Sequence, residues 1–193
     1  MQNAAVNSET GIQTPEPPRG VNIVLVGLMG SGKSTVGRMS AQSLGFGFVD
    51  TDHLIISAAN RTIPEIFALE GEAGFRKRET DALRSLIGQQ RLVIATGGGI
   101  VTQPQNLEIL KQLGFVVWLH ADPMVLHRRT SHSLDRPLLR VGDPAETLRK
   151  LHEVRSVLYA QVCDEKITTD DLSLQDVAYG LVETAQVYFR GYV

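Results

Sequence analysis

The sequence contains almost no cysteine, few aromatic residues and little net charge. Cys163 is the only cysteine among 193 residues, so no intrachain disulfide can form, and we expect a reducing compartment, the cytoplasm. The net charge of −2 lacks the basic excess of a dedicated nucleic-acid-binding protein. No apolar run approaches the ~20 residues that span a bilayer, and residues 1–6 lack the basic and apolar regions of a secretory signal. We therefore expect neither nucleic-acid nor membrane partners.

The chain divides into a short leader and one folded unit. Residues 1–20 contain Pro15, Pro17 and Pro18 and few apolar side chains, which predicts a disordered leader. Residues 21–193 have a length typical of a single domain.

Apolar strand patterns alternate with helical patterns after residue 20. The expected strands are 21–26, 46–49, 92–95, 115–119 and a weak 166–169. Helices are expected over 33–44, after a capping box of Thr62 and Glu65, over 104–113, and after a cap of Ser173 and Asp176. One helical face between them carries Phe75, Leu83, Leu86 and Ile87, which we expect to be buried. The alternation predicts an α/β fold of three layers, α/β/α, with a five-stranded parallel sheet. Ligands bind such sheets beyond the carboxyl ends of the strands.

A glycine-rich segment follows the first expected strand. Residues 27–35, Gly-Leu-Met-Gly-Ser-Gly-Lys-Ser-Thr, fit the phosphate-loop pattern G-x-x-x-x-G-K-[ST] between a strand and a helix. Its glycines let several N–H groups turn toward one anion, and the helix N-terminus adds a partial positive charge. Lys33 can reach the β- and γ-phosphates, and the hydroxyl of Ser34 can bind Mg²⁺. The segment predicts nucleotide binding but leaves open a kinase, a switch or a motor.

Further motifs follow the other strands. Asp50-Thr51-Asp52 comes just after the second strand, and both carboxylates face one side if the strand geometry persists. Arg76 and Glu79 lie three residues apart on one helical face. The remaining motifs are Thr96-Gly97-Gly98-Gly99, Arg129-Thr130, Asp135-Arg136-Pro137-Leu138-Leu139, and Arg155 with Leu158-Tyr159.

In this order, the motifs resemble those of the shikimate kinases, members of the nucleoside-monophosphate-kinase-like P-loop kinases. The resemblance runs from about residue 21 to 169, and the ordered combination is far more specific than any one motif. It implies a P-loop NTPase fold with a mobile lid over about 131–143, and an ATP- and Mg²⁺-dependent monomer that phosphorylates shikimate at its 3-hydroxyl.

The resemblance also implies roles for individual residues. ATP would be bound by Gly30, Ser31, Gly32, Lys33, Ser34 and Thr35, with Arg129 beside the adenine and Arg136 reaching the phosphates from the lid. Mg²⁺ would be held by Ser34 directly and by Asp50 through water. Shikimate would be bound by Asp52, Arg76, Gly97, Gly98, Gly99 and Arg155. Asp52 would be the base, and Lys33 and Arg136 would stabilise the transferred phosphoryl group.

The sequence departs from the usual motif patterns at two positions, and three other functions remain open. The family commonly has a proline between Arg155 and Leu158, and none is present here. No aspartate ends the third strand, so metal binding falls to Asp50, as in the family.

A carboxylate clamp of Arg76 and Arg155 also fits gluconate. A nucleoside monophosphate kinase would need a second base pocket that the sequence does not show. A catalytically silent regulator would have lost Lys33, Asp52 or a clamp arginine.

Overall fold

The structure is a computed structural model that describes residues 19–131 and 143–190. Most of the expected leader, residues 1–18, lies outside the described residues. So does nearly all of the expected lid, residues 132–142, together with Arg136 and its motif. The leader, the lid and Arg136 therefore remain predictions.

Five parallel strands form one sheet with the order β2-β3-β1-β4-β5. The strands are β1 Ile23–Val26, β2 Gly47–Asp50, β3 Leu92–Ala95, β4 Phe115–His120 and β5 Glu165–Thr168. The helices are α1 Lys33–Leu44, α2 Thr51–Ala59, α3 Ile63–Arg84, α4 Pro104–Leu113, α5 Pro123–Thr130, α6 Pro144–Val162 and α7 Leu174–Arg190, with a 3₁₀ turn at Ile100–Thr102. The expected α/β fold with a five-stranded parallel sheet is confirmed.

Alternate residues of the central strands face two separate cores, because successive strand side chains point to opposite faces. Val24 and Trp118 belong to the core that α4 and α6 cover. Ile23 and Val117 belong to the core that α1 and α7 cover. Burial on both faces explains the continuous apolar runs in the sequence, and it gives the three layers expected for a parallel sheet.

Several helix bounds follow directly from local sequence. Helix α1 lies between Gly32 and Gly45, which both adopt left-handed backbone conformations. Helix α3 begins at the expected capping box of Thr62 and Glu65, and it is kinked at Gly71, where φ is 67°. No helix in the described part of the chain is both long and apolar enough to cross a membrane.

One buried amide fastens the amino ends of three strands. Asn22 is fully buried just before β1. Its side chain donates to the carbonyls of Gln89 and Leu113 and accepts from the N–H of Leu92, at 2.8, 2.8 and 2.9 Å. Its backbone carbonyl accepts from the N–H of Phe115. Side chain and backbone together link the starts of β1, β3 and β4.

The expected bounds of β2, β4 and β5 are each off by one residue, and three other details also differ from the expectations. Residues 21 and 22 precede β1 rather than belong to it, and the N–H of Leu92 there donates to the Asn22 side chain instead of a backbone carbonyl. The side chain of Ile87 is exposed, whereas Phe75, Leu83 and Leu86 are buried as expected. Thr51 and Asp52 begin α2 and do not continue β2.

Candidate active site

The phosphate loop connects β1 to α1 at the carboxyl edge of the sheet. Gly27, Gly30 and Gly32 have φ values of 141°, 81° and 92°, which L side chains rarely adopt. A Cβ at Gly27 would also lie 2.4 Å from the Leu119 carbonyl oxygen. The first turn of α1 has neither a capping side chain nor an acidic residue. Its N–H groups are therefore available to an anion.

Lys33 extends back across the loop and is nearly buried. Its Nζ donates to the carbonyls of Gly27 and Leu28 at 2.8 Å each, and to Ser31 Oγ at 3.3 Å. These contacts fix the loop around the ammonium group. The expected phosphate-binding cation is therefore located within the loop.

Ser34 and Asp50 meet where α1 approaches the end of β2. Ser34 Oγ donates to Asp50 Oδ2 at 2.7 Å, and Asp50 Oδ1 accepts from the Asp52 N–H as the N-cap of α2. Asp50 is thus the N-cap of α2, and its carboxylate also places oxygen atoms beside the phosphate loop. A hydroxyl and a carboxylate are oxygen ligands of the kind that Mg²⁺ prefers, and Mg²⁺ usually keeps several waters as well. The two residues fit the expected metal.

Asp52 lies in the first turn of α2. It faces residues 97–99, the three glycines after β3, which we call the glycine segment. A Cβ at Gly97 would lie 3.1 Å from Asp52 Oδ1 and 2.6 Å from Glu79 Oε1. The side chains of Asp52 and Glu79 therefore occupy the space that any side chain at position 97 would need. Thr51 Oγ1, fully buried, accepts from the Gly97 N–H at 3.2 Å, a contact that the sequence did not indicate.

Arg76 lies in α3 against Gly99. A Cβ at Gly99 would lie 2.0 Å from Arg76 Nη1, so the guanidinium packs directly on the glycine backbone. Arg76 Nη1 donates to Glu79 at 2.7 Å and Nη2 to Glu72 at 2.8 Å. Burial opposes the Arg76 charge, but Glu79 and Glu72 more than offset this and raise the pKa of Arg76. Burial also disfavours the charged form of Glu79 and raises the pKa of this carboxyl, although the Arg76 charge acts in the opposite direction.

Arg155 and Tyr159 approach the same glycine segment from α6. They lie four residues apart on one helical face, and both are buried. Arg155 Nη1 donates to the Gly98 carbonyl at 3.1 Å, and the Tyr159 hydroxyl donates to the same oxygen at 2.5 Å. Burial, and then the nearby Arg76 charge, lower the pKa of Arg155. The absent proline leaves α6 continuous through Arg155 and does not displace it from the glycine segment.

Arg129, at the end of α5, contacts the segment that follows β5. It donates to Thr169 Oγ1 at 3.0 Å and to the Thr169 carbonyl at 2.5 Å. Leu172, Ser173 and Leu174 line the cleft with it, and sequence reasoning did not identify them as site residues. This wall lies at the side of the phosphate loop where an adenine is expected.

A cleft of about 580 Å³ at the carboxyl edge of the sheet brings most of these residues together. Its lining includes the following site residues: Gly30, Gly32, Lys33, Ser34, Thr35, Asp50, Asp52, Gly97, Gly98 and Arg129. Arg76, Gly99 and Arg155 do not belong to this lining: Arg76 packs on Gly99, and Arg155 contacts the Gly98 carbonyl. Ser31 is buried inside the loop.

Comparisons with known proteins agree with this geometry. The shikimate kinase family model matches residues 29–186. A shikimate kinase of Symbiobacterium thermophilum is 49% identical over 168 residues, which cover 86% of this chain and 97% of that protein. One of Dechloromonas aromatica is 47% identical over 162 residues, which cover 84% and 86%.

Solved structures give the same relationship. A shikimate kinase from Acinetobacter baumannii, solved in complex with shikimate, matches with a TM-score of 0.84 at 44% identity, over 88% of this chain and 94% of that one. Both the sequence and the fold are thus shared over most of the chain, and this chain belongs to the shikimate kinase family.

Proposed function

We propose that this protein transfers the γ-phosphate of ATP to the 3-hydroxyl of shikimate, giving 3-phosphoshikimate and ADP. One observation carries the proposal: the phosphate loop and Asp52 line the same cleft, and two buried arginines hold the glycine segment at its wall. A nucleotide and an anionic polyol can therefore meet in this cleft.

The phosphate loop would bind the ATP phosphates. Residues 32–35, at the start of α1, line the cleft, and the helix dipole adds a partial positive charge there. Lys33 would exchange its carbonyl contacts for phosphate oxygens and stabilise charge on the transferred group. Arg129 would border the adenine, and Arg136, outside the described residues, would approach the phosphates from the lid.

Ser34 and Asp50 would hold Mg²⁺, Ser34 directly and Asp50 through water. The metal would neutralise charge on the phosphates. The 2.7 Å hydrogen bond between Ser34 Oγ and Asp50 Oδ2 supports this assignment, because it brings the two oxygen atoms together beside the phosphate loop.

Asp52, Arg76, Arg155 and the glycine segment would bind shikimate. The two guanidinium groups would pair with the carboxylate, a geometry that the planar fork of arginine suits. Asp52 would accept hydrogen bonds from ring hydroxyls and take the proton of the 3-hydroxyl as the phosphoryl group transfers. Glu79 keeps Arg76 in position through their 2.7 Å contact.

A coupled ADP-release assay with Mg·ATP tests this function. Shikimate, gluconate and AMP would be compared with a sample that holds no acceptor. We expect release that depends on shikimate. Release with gluconate or AMP instead would overturn the substrate, and silence from folded, ATP-binding protein would indicate a regulator.

We further propose that residues 21–193 act as one kinase domain, as a monomer in the cytoplasm. The family resemblance supports the monomer, and the single cysteine is consistent with a reducing compartment. Sedimentation of the purified chain would test the oligomeric state.

A further inference from the structure

We propose that Tyr159 is a positioning residue for the substrate carboxylate: its hydroxyl holds the Gly98 carbonyl, so that the Gly98–Gly99 peptide keeps its orientation and Arg155 remains available to the ligand. This inference rests on the proposed function, because the ligand that it concerns is shikimate. Tyr159 itself lies behind the glycine segment and is 1% exposed.

The Tyr159 hydroxyl is a fixed donor. Burial raises the pKa of Tyr159 well above its ordinary value, so the phenol keeps its proton at every physiological pH. Its ring packs 5.6 Å from that of Trp118, which fixes the direction of the hydroxyl. The hydroxyl donates its proton to the Gly98 oxygen at 2.5 Å.

Every carbonyl of the glycine segment has a donor from the protein. The Gly97 oxygen accepts from the Ile100 N–H at 3.1 Å. The Gly99 oxygen accepts from the N–H and the hydroxyl of Thr102, at 3.0 and 2.7 Å. The Gly98 oxygen is held by side chains alone, those of Tyr159 and Arg155.

The N–H groups of the same segment behave differently. Within residues 19–131 and 143–190, neither Gly98 nor Gly99 donates its N–H to a protein acceptor. A peptide is planar and trans, so fixing the Gly98 carbonyl also fixes the Gly99 N–H on its opposite side. Arg76 packs on Gly99, whereas Arg155 lies on the carbonyl side of the Gly98–Gly99 peptide, opposite the Gly99 N–H. Two cations held against one fixed peptide can pair with a carboxylate.

Arg155 can serve the ligand fully only if another group holds the Gly98 carbonyl. Without the Tyr159 hydroxyl, the Arg155 guanidinium would be the sole donor to that oxygen. Because Tyr159 also donates to that oxygen, Arg155 can give up its own contact to the substrate without leaving the carbonyl unpaired, whereas without the tyrosine hydroxyl it could not. The tyrosine hydroxyl therefore acts through both the peptide and the arginine.

The test compares Tyr159→Phe with Tyr179→Phe, which removes an exposed hydroxyl on α7. For Tyr159→Phe we expect the KM for shikimate to rise about five- to tenfold, the loss of one hydrogen bond, while kcat and the KM for ATP stay within about twofold. Tyr179→Phe should match the wild type in all three constants. An unchanged KM for shikimate, or a loss confined to kcat or to ATP, would overturn the proposal.

A second substrate separates positioning from a general structural defect. Shikimate methyl ester lacks the carboxylate charge, and hydrogen bonds to a charged group are about twice as strong as neutral ones. The penalty of Tyr159→Phe on kcat/KM should therefore shrink to about twofold with the ester. An equal penalty on both substrates would show a structural role only. If the wild-type protein did not turn over shikimate, the proposed function itself would be contradicted. This measurement does not depend on the Tyr159→Phe variant.

Discussion

Replacing Gly99 with alanine would test the position of the Arg76 guanidinium. The backbone there has φ −93° and ψ 0°, a conformation with negative φ that is open to alanine. The new Cβ would lie 2.0 Å from Arg76 Nη1, so the guanidinium would have to retreat by about 1 Å or more to reach an ordinary contact. It is held at 2.7 Å from Glu79 and 2.8 Å from Glu72, so it cannot retreat without stretching these pairs.

The expected rise in the KM for shikimate follows from the loss of the hydrogen bond between the displaced Arg76 guanidinium and the substrate carboxylate. A hydrogen bond to a charged group contributes about 1.5–3 kcal/mol, and a displacement of about 1 Å in a site can cost about 10²-fold. At about 1.4 kcal/mol per factor of ten, the KM for shikimate should rise about 10- to 100-fold. The KM for ATP should change less than about twofold, because Arg76 lies on α3 against Gly99 and is not part of the phosphate loop.

Steady-state kinetics with each substrate varied in turn would measure both constants. Gly180→Ala is the matched control, since a Cβ there has nothing within 4 Å. Circular dichroism would establish that Gly99→Ala is folded. A folded Gly99→Ala with the wild-type KM for shikimate would refute the role of the Arg76 position, and equal losses for both substrates would refute its restriction to one of them.

Three further predictions concern the rest of the molecule. Asp52→Asn should lower kcat about 10²- to 10⁴-fold with the KM for ATP retained, in steady-state assays; an unaltered kcat would remove Asp52 as the base. Lys33→Ala should lower kcat at least about 10²-fold in the same assay, whereas near-normal turnover would contradict the phosphate-loop assignment. Burial, Lys166 and His152 lower the pKa of His120 below 6.5, so the native state binds fewer protons there than the unfolded chain. His120 should therefore reduce stability as the pH falls below about 6.5, and His120→Gln should weaken that decline in urea unfolding at pH 7.5 and 5.5; an identical decline in both proteins would exclude this source.

Much of the fold could be predicted because local sequence determines it. The bounds of α1 and α4 agree with the expected 33–44 and 104–113, since glycine or proline stands at their ends. The strand 92–95 also agrees, being a short apolar run between a turn and the glycine segment. These elements depend on residues close in the chain.

The candidate site could be predicted only in part, because its contacts join distant residues. Asp50 and Asp52 do face one cleft, but the expected strand alternation is not the reason: α2 begins at Thr51, and its first turn presents Asp52. The hydrogen bond from Tyr159 to Gly98 spans 61 residues and has no local signal. The same holds for the packing of Arg76 on Gly99, which depends on how α3 meets the end of β3.

The hydrogen bonds of Asn22 have a consequence for how such a protein can change over generations. They fix the strands at the edge of the sheet opposite the cleft, so strand register does not depend on the loops that bind ligands. Loops at the carboxyl edge can therefore acquire substitutions while the starts of β1, β3 and β4 stay aligned. Substrate preference and structural integrity are thereby located at opposite edges of one sheet, and either can vary with little effect on the other.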